Sequence, residues 1–362
     1  MTHNLPDYRE DCFHFRGDIP CAPHKQHGVH CSDCAYFTAG RDAILIIKLG
    51  ATGDVIRTTP LLRRLEREFP GRRVFWLTHS PEVLPDTVTA LLPNALSLEI
   101  LRATRFEAVI NLDKDLEACA LAAGLAAGAT YGFTLRNGKP APCNDMALPK
   151  FLRGIFDDVS QANTESYPQE IFAICGWEFA GEEYVLPTVP DVQIPALHTG
   201  GVVVGLNTGC GERWTSRLWA TERWAELITR IQAAGLTPLL LGGRHELARN
   251  QELQHLTGAA LAEPAPLGAF FGVMNNCHVV VTGVTMGLHI AVGLKKRVVL
   301  MNNIFNPQEF DLYGRGEIVS PDRTCTCYYR PTCRNEEYRC MEHLPADVVF
   351  QAVERQAAHI SR

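Results

Sequence analysis

Asp54 ends the stretch Leu49-Gly50-Ala51-Thr52-Gly53-Asp54, directly after an apolar run and directly before a helix-forming one. Two glycines let such a turn come close to a ligand. A carboxylate there could act as general base toward an attacking hydroxyl. The same residue type is a common helix N-cap, and both roles fit the local sequence. A second block, Thr208-Gly209-Cys210-Gly211, is a small-residue loop followed by Arg213 and Arg217 ahead of a helix. Free N–H groups at a helix start and bidentate guanidinium groups both suit a phosphate; two solvated arginines on a surface loop are the plainer reading. Glu246, just past Leu-Leu-Leu-Gly-Gly, could hold ribose hydroxyls or serve as a first-turn helix acid. Thr285 and Gly287 open a helix after Val-Val-Val-Thr-Gly and offer another anion site. His289 on that helix reads equally as a ligand or as a satisfied buried histidine. Trp214, Trp219 and Trp224 read as packing residues.

Cysteine supplies a different chemistry. The chain has 13, and eight fall in two clusters. Cys12, Cys21, Cys31 and Cys34 precede the first apolar run, spaced Cys-x8-Cys-x9-Cys-x2-Cys, with His14, His24, His27 and His30 among them. Clustered thiols in a reducing compartment more often bind metal than pair as disulfides. Four thiolates suit tetrahedral zinc, with iron as the alternative, and such a site can fold a segment too short for its own core. The second cluster, Cys325, Cys327, Cys333 and Cys340, could hold a second metal, disulfides or free thiols.

These residues need elements to position them. Ala43 to Leu49 reads as a buried parallel strand, and Leu61, Leu62, Leu65 and Phe69 recur at helical spacing before Pro70. RVFWLTH and FEAVINLD are further strands, and ACALAAGLAAGA, residues 118–129, reads as a small-residue helix. The rhythm fades over 134–200, and the prolines near 185–200 mark a linker. A second series follows: a strand at Val202–Leu206, an amphipathic helix ended by Gly235, strands TPLLLGG, HVVVTG and RVVLMN, and a last helix from Asp347 to Ile360. Alternating strand and helix means doubly wound parallel sheets. The expected units are a Cys-rich segment 1–40, a first Rossmann-like domain 41–190, a second 191–345, and a C-terminal helix 346–362. A net charge of −6 with both signs interspersed argues against a nucleic-acid partner. No apolar run reaches the ~20 residues of a membrane span. The polar head is unlike a signal peptide, so a cytoplasmic location is expected.

Together, ILIIKLGATGDVIRTTPLLRRLEREFP, GLNTGCGERWTSRLWATERWAELI, LLLGG, VVVTGVTMGLHIAVGL and LYGRG resemble glycosyltransferase family 9, the ADP-heptose:lipopolysaccharide heptosyltransferases, over roughly residues 42–355. The resemblance implies a GT-B fold, with two Rossmann-like α/β domains facing a cleft, acceptor on the first and sugar nucleotide on the second. It implies inverting transfer without a catalytic metal, with Asp54 as base, the loop Thr208–Gly211 and Glu246 on the donor side, and Arg217 at the pyrophosphate, where many members carry lysine. It implies an ADP-sugar donor, a glycan, lipid-linked or protein acceptor, peripheral contact with the inner membrane, a homo-oligomer, and a last helix crossing back to the first domain. One departure stands out. The acid of the family's Asn-Asp-Thr/Ser-Gly block falls on Val284, so the sugar is read only as heptose-like; Glu309, in NNIFNPQEF, could supply an acid instead. A nucleotide-sugar epimerase on the same fold, or a metal-cluster redox or binding protein with silent transferase domains, are the alternatives.

Overall fold

A computed structural model describes residues 6–360, except 41, 198–199, 212, 324 and 336. After a head bearing the short helix α1 (Ala22–His27), the first half runs β1 (Ala43–Ile47), α2 (Thr52–Thr58), α3 (Pro60–Glu68), β2 (Val74–Leu77), β3 (Val88–Leu91), α4 (Ala95–Ala103), β4 (Phe106–Asn111), α5 (Leu116–Gly124), β5 (Ala127–Arg136), β6 (Lys139–Pro142), α6 (Leu148–Arg153), α7 (Asp157–Gln161) and α8 (Tyr167–Ile174). The second half runs β7 (Val203–Asn207), α9 (Thr221–Ala233), β8 (Thr237–Leu241), α10 (Leu247–Thr257), β9 (Ala260–Leu261), α11 (Leu267–Asn275), β10 (Val279–Gly283), α12 (Met286–Gly293), β11 (Arg297–Met301), β12 (Gly316–Val319) and α13 (Ala346–Ala358).

The expected pair of doubly wound sheets is present. The first has strand order β3-β2-β1-β4-β5-β6 and the second β12-β11-β10-β7-β8-β9. Read from β9, the second repeats the order of the first. In each, the chain reverses its winding between the first and fourth strands, β1 beside β4 and β7 beside β10, and such a switch point opens a crevice at the carboxyl ends of the strands. All pairings are parallel except β5 with β6. β1 is buried throughout because helices cover both faces of its sheet. On α9, Trp224, Leu227, Ile228 and Ile231 recur at helical spacing and are fully buried, whereas Arg223 and Glu226 face out.

Three expectations are corrected. The alanine-rich stretch 118–129 is not one helix: α5 stops at Gly124 and β5 begins at Ala127, paired with β4. Pairing to an existing sheet edge overrides alanine's helical preference. Residues 134–200 hold a β-hairpin and three short helices; Asn137 and Gly138, both at positive φ, form its turn. The last helix, α13, does not cross to the first half but packs on α9 and the second sheet through Val349, Ala352 and Val353. Among the described residues no helix is long and apolar enough to cross a membrane.

The halves also meet away from the sheets. The buried Asn306 amide donates to the carbonyls of Ser160 and Asn163 at 2.9 and 2.7 Å. Arg315 of the second half makes a bidentate pair with Glu183.

Candidate active site

The crevices of both sheets open onto one cleft of ≈ 610 Å³, lined from the first half by Gly53, Asp54 and Arg57 and from the second by Gly209, Gly211, Arg217, Glu246, Thr285, Gly287 and His289. The closest approach is between α2 and α12. A Cβ on Gly53 would lie 2.8 Å from the His289 ring and 3.3 Å from the Met286 Cα, so only glycine allows these helices to touch.

Asp54 lies in the first turn of α2 but does not cap it: the N-cap is Ala51, and no side chain caps the helix. That corrects the capping alternative. The Asp54 side chain is 34 % exposed, and its Oδ1 is 2.9 Å from Arg57 one turn on. Burial pushes its carboxyl up, but the Arg57 guanidinium and the Lys48 ammonium outweigh burial and hold it below its usual range. Lys48, at the end of β1, is fixed by a buried ion pair with Asp113 and donates to the Gly50 carbonyl at 2.6 Å. Burial opposes its charge, yet Tyr167, Asp113 and Asp54 keep it above its ordinary value. Lys48, Arg57 and Asp113 were missed by sequence reasoning. Arg57 had a signal, since residues three apart share a helix face; the Lys48–Asp113 pair spans 65 residues and had none.

On the opposite wall, Arg217 lies beside Trp214 and Phe305, 5.0 and 5.5 Å from their ring centroids, and donates to the Val284 carbonyl. Its Nε has no partner, and among the described residues no carboxylate pairs with it. Burial pulls it down to about 10, so it stays a cation at neutral pH. Such a guanidinium facing a cleft is electrostatically incomplete and suits an anion. Thr285 caps α12, accepting from Gly287 N–H and from the Asn207 amide.

The other predicted residues sort plainly. Glu246 accepts from Gly243 N–H at 2.9 Å, and a Cβ on Gly209 would collide with it, so these two share one corner of the cleft. Thr208 is buried, its hydroxyl spent on Asn250, and does not line the cleft. Arg213 is exposed and does not line it either. Both are corrections: from this stretch Gly209, Cys210, Gly211, Trp214 and Arg217 line the cleft. His289 is buried, its Nδ1 3.5 Å from the Tyr184 hydroxyl, and burial with Arg57 pushes it down to about 3. It is a neutral histidine in the cleft wall, packed against Tyr184. Trp219 and Trp224 are core residues as expected, but Trp214 lines the cleft.

The head cysteines converge. Cys12, Cys21, Cys31 and Cys34 line one small cavity with His14 and His30. In the second cluster the Cys327 and Cys333 sulfurs are 3.8 Å apart, and Arg334 N–H donates to Cys327. All eight are free thiols. Among the described residues, however, no three Cys, His, Asp or Glu side chains are gathered closely enough to hold a metal ion. Among the described residues the expected head site is therefore a thiol cluster without a formed ligand set, and of the three readings of the second cluster the free thiols are the ones present.

Known proteins with this architecture give it a context. Residues 201–339 match glycosyltransferase family 9 (heptosyltransferase). No curated protein matches the chain by sequence. Among solved structures, Escherichia coli heptosyltransferase WaaC with ADP is similar at 18% identity and a TM-score of 0.58, covering 88% of this chain and 99% of that one. A family 9 glycosyltransferase from Veillonella parvula is similar at 17% identity and a TM-score of 0.63, covering 88% and 98%. TibC of enterotoxigenic E. coli, an iron-containing dodecameric glycosyltransferase, is similar at 11% identity and a TM-score of 0.54, covering 89% and 77%. The shared architecture is the GT-B fold of two facing Rossmann-like halves.

Proposed function

We propose that this chain, a glycosyltransferase by the family 9 domain of its second half and by its GT-B fold, moves a heptose-like sugar from a nucleotide diphospho-sugar to an acceptor hydroxyl. An ADP-sugar is the favoured donor, and a glycan, lipid-linked or protein hydroxyl the acceptor. The observation that carries this reading is the cleft itself: an ionised carboxylate, Asp54, on one wall and an acid-free guanidinium, Arg217, on the other.

The chemistry is one displacement. The acceptor oxygen attacks the anomeric carbon as the bond to the pyrophosphate breaks. The nucleoside diphosphate leaves with the electron pair, and the hydroxyl proton passes to Asp54. A single displacement inverts the anomeric centre. Charge growing on the pyrophosphate faces Arg217, Gly209, Gly211 and the start of α12, where a fixed cation and amides stabilise it most. Asp54 need not be strongly basic, because the attacking oxygen becomes acidic as its new bond forms. Glu246, in the cleft corner beside Gly209, is the acid available to the ribose hydroxyls in this reading. Val284 leaves the sugar without the acid expected at that position, and Glu309, with one oxygen facing Arg57 and the other bonded by Tyr329, is not free to replace it. Thermal shifts with ADP, UDP and GDP test the donor: a shift with none of them would remove the reading, and a shift with ADP that Arg217→Ala abolishes would support it.

The head thiols belong to the same proposal as a separate, structural site. Four thiols round one cavity fit the donor chemistry of zinc or iron. Of residues 6–40 only Cys12 and Pro23 are buried, so a metal would supply the folding free energy that a core does not. It takes no part in the transfer step.

A further inference from the structure

Arg57 has a second acid partner. Its Nη1 is 3.6 Å from Oε2 of Glu309, on the single helical turn after β11, and the Glu309 side chain is only 9 % exposed. The other Glu309 oxygen accepts from the Tyr329 hydroxyl. Tyr329 sits in the loop between Cys327 and Cys333, its backbone N–H donating to the Ile304 carbonyl and its ring edge-on to Phe305 at 4.9 Å. The same loop accepts from Ser216 at the Arg330 carbonyl, next to Arg217 in sequence, and the Tyr328 hydroxyl meets Ser160 of the first half at 2.9 Å. A chain of four polar groups thus crosses the cleft: Tyr329 and Glu309 from the donor half, Arg57 and Asp54 from the acceptor half. The Arg57 guanidinium lies 3.7 Å from the Tyr167 ring centroid, which fixes its plane between the two acids.

We propose that Glu309 and Tyr329 are positioning residues: through Arg57 they set the charge and orientation presented to the Asp54 carboxylate, and they do so only when the two halves are together. The inference rests on Asp54 being the base. One guanidinium shared by two carboxylates neutralises neither fully, so Asp54 keeps more of its appetite for a proton than a private ion pair would leave it. Glu309 is thereby kept for the acceptor half and does not reach the donor as a free acid. Asp54 is faced by Arg57 on its own helix, Lys48 from the end of β1 and His289 from α12. Arg57 is faced in addition by Tyr167 from α8, Glu309 and Tyr329, and the Tyr184 hydroxyl feels the same guanidinium. Among these, Glu309 and Tyr329 alone combine membership of the donor half with a place in the chain of bonds.

The signs follow. Glu309→Gln keeps the shape but removes a negative charge, so Arg57 binds Asp54 alone and the base weakens. Tyr329→Phe keeps the ring packing but removes the donor to Glu309, so Glu309 draws harder on Arg57 and Asp54 strengthens. The assay is release of ADP from ADP-heptose with water as acceptor, alongside ADP binding by calorimetry. In Glu309→Gln, turnover should fall by roughly 10-fold with ADP affinity within 2-fold of wild type, the order expected for a weakened general base, and Glu309→Asp should recover part of the loss. In Tyr329→Phe the acid limb of the turnover–pH profile should move to higher pH. Glu309→Gln at more than half of wild-type turnover, or a limb unmoved by Tyr329→Phe, would overturn the proposal. If Asp54→Asn is itself fully active, it is the base assignment that has failed.

Discussion

Replacing Arg217 by Met should weaken nucleotide binding while leaving the unliganded protein as stable as before or slightly more so. The structure gives the magnitude. Burial lowers the guanidinium to about 10, well below its ordinary value; at 1.36 kcal/mol per pH unit the gap corresponds to ~3 kcal/mol of opposition to the charge. Buried sites respond as though the surroundings were fairly polarisable, so about half of that, ~1.5 kcal/mol, is the more realistic figure. The group is a cation in both folded and unfolded chains at pH 7. Its folded value is the lower one, so the cost is fully present below about pH 10 and fades only as pH rises beyond. Methionine removes that cost and fills the space beside Trp214 and Phe305, while losing the bond to the Val284 carbonyl removes about 1.5 kcal/mol, the lower end for a bond to a charged group. The net effect on the unliganded protein is therefore between zero and a small gain. Binding loses one charge-assisted contact, roughly 10- to 100-fold in affinity. At an ADP concentration of 100 wild-type Kd the ligand stabilises wild type by about 2.7 kcal/mol, and by the same relation the variant by only about 0.4 to 1.4 kcal/mol. Melting curves with and without ADP read both quantities. An undiminished ADP shift would place the phosphates elsewhere, and a loss of more than ~1.5 kcal/mol without ligand would make Arg217 a structural residue tied to Val284.

Asp54→Asn should lower turnover by about 10²- to 10⁴-fold with ADP affinity nearly unchanged; the side chain caps nothing, so the melting temperature should fall only by what the lost pair with Arg57 contributed. Arg57→Met should move the acid limb of the turnover–pH profile upward: without the guanidinium the burial that pushes Asp54 up is less opposed, and activity is lost at a higher pH as pH falls; an unmoved limb would separate Arg57 from the base. Elemental analysis should find about one equivalent of zinc or iron that falls in Cys31→Ser together with stability and not with ADP affinity; less than about half an equivalent in wild type would remove the metal.

The parts of this site legible in the sequence are those made by neighbours in the chain. Asp54 after β1, the glycine loop after β7, and Thr285 and Gly287 at the start of α12 each follow from a strand running into a turn, and all but Thr208 of those blocks reach the cleft. Contacts across long separations were not legible. Glu309 was noted only as an acid, because its partners Arg57 and Tyr329 come from the other half and from the cysteine loop. Arg213 and Arg217 look alike in sequence; the 3₁₀ turn Thr215–Arg217 brings only the second into the cleft. The Asn137-Gly138 hairpin could have been found from its dipeptide alone.

The proline-rich stretch near 185–200 looks like the natural seam for exchanging first halves between related enzymes. Asn306 says otherwise. Its amide is buried and its two short bonds end on carbonyls of Ser160 and Asn163, well upstream of that stretch. A chimera joined there would keep the asparagine from one parent and rely on the other parent's backbone to present two carbonyls at the same places. A buried donor left without a partner costs about 1 to 3 kcal/mol, comparable to a sizeable share of a domain's whole stability margin. The transferable module is therefore the second half together with residues 157–163, and grafts that carry that short helical segment along with Asn306 should melt higher than linker-spliced ones.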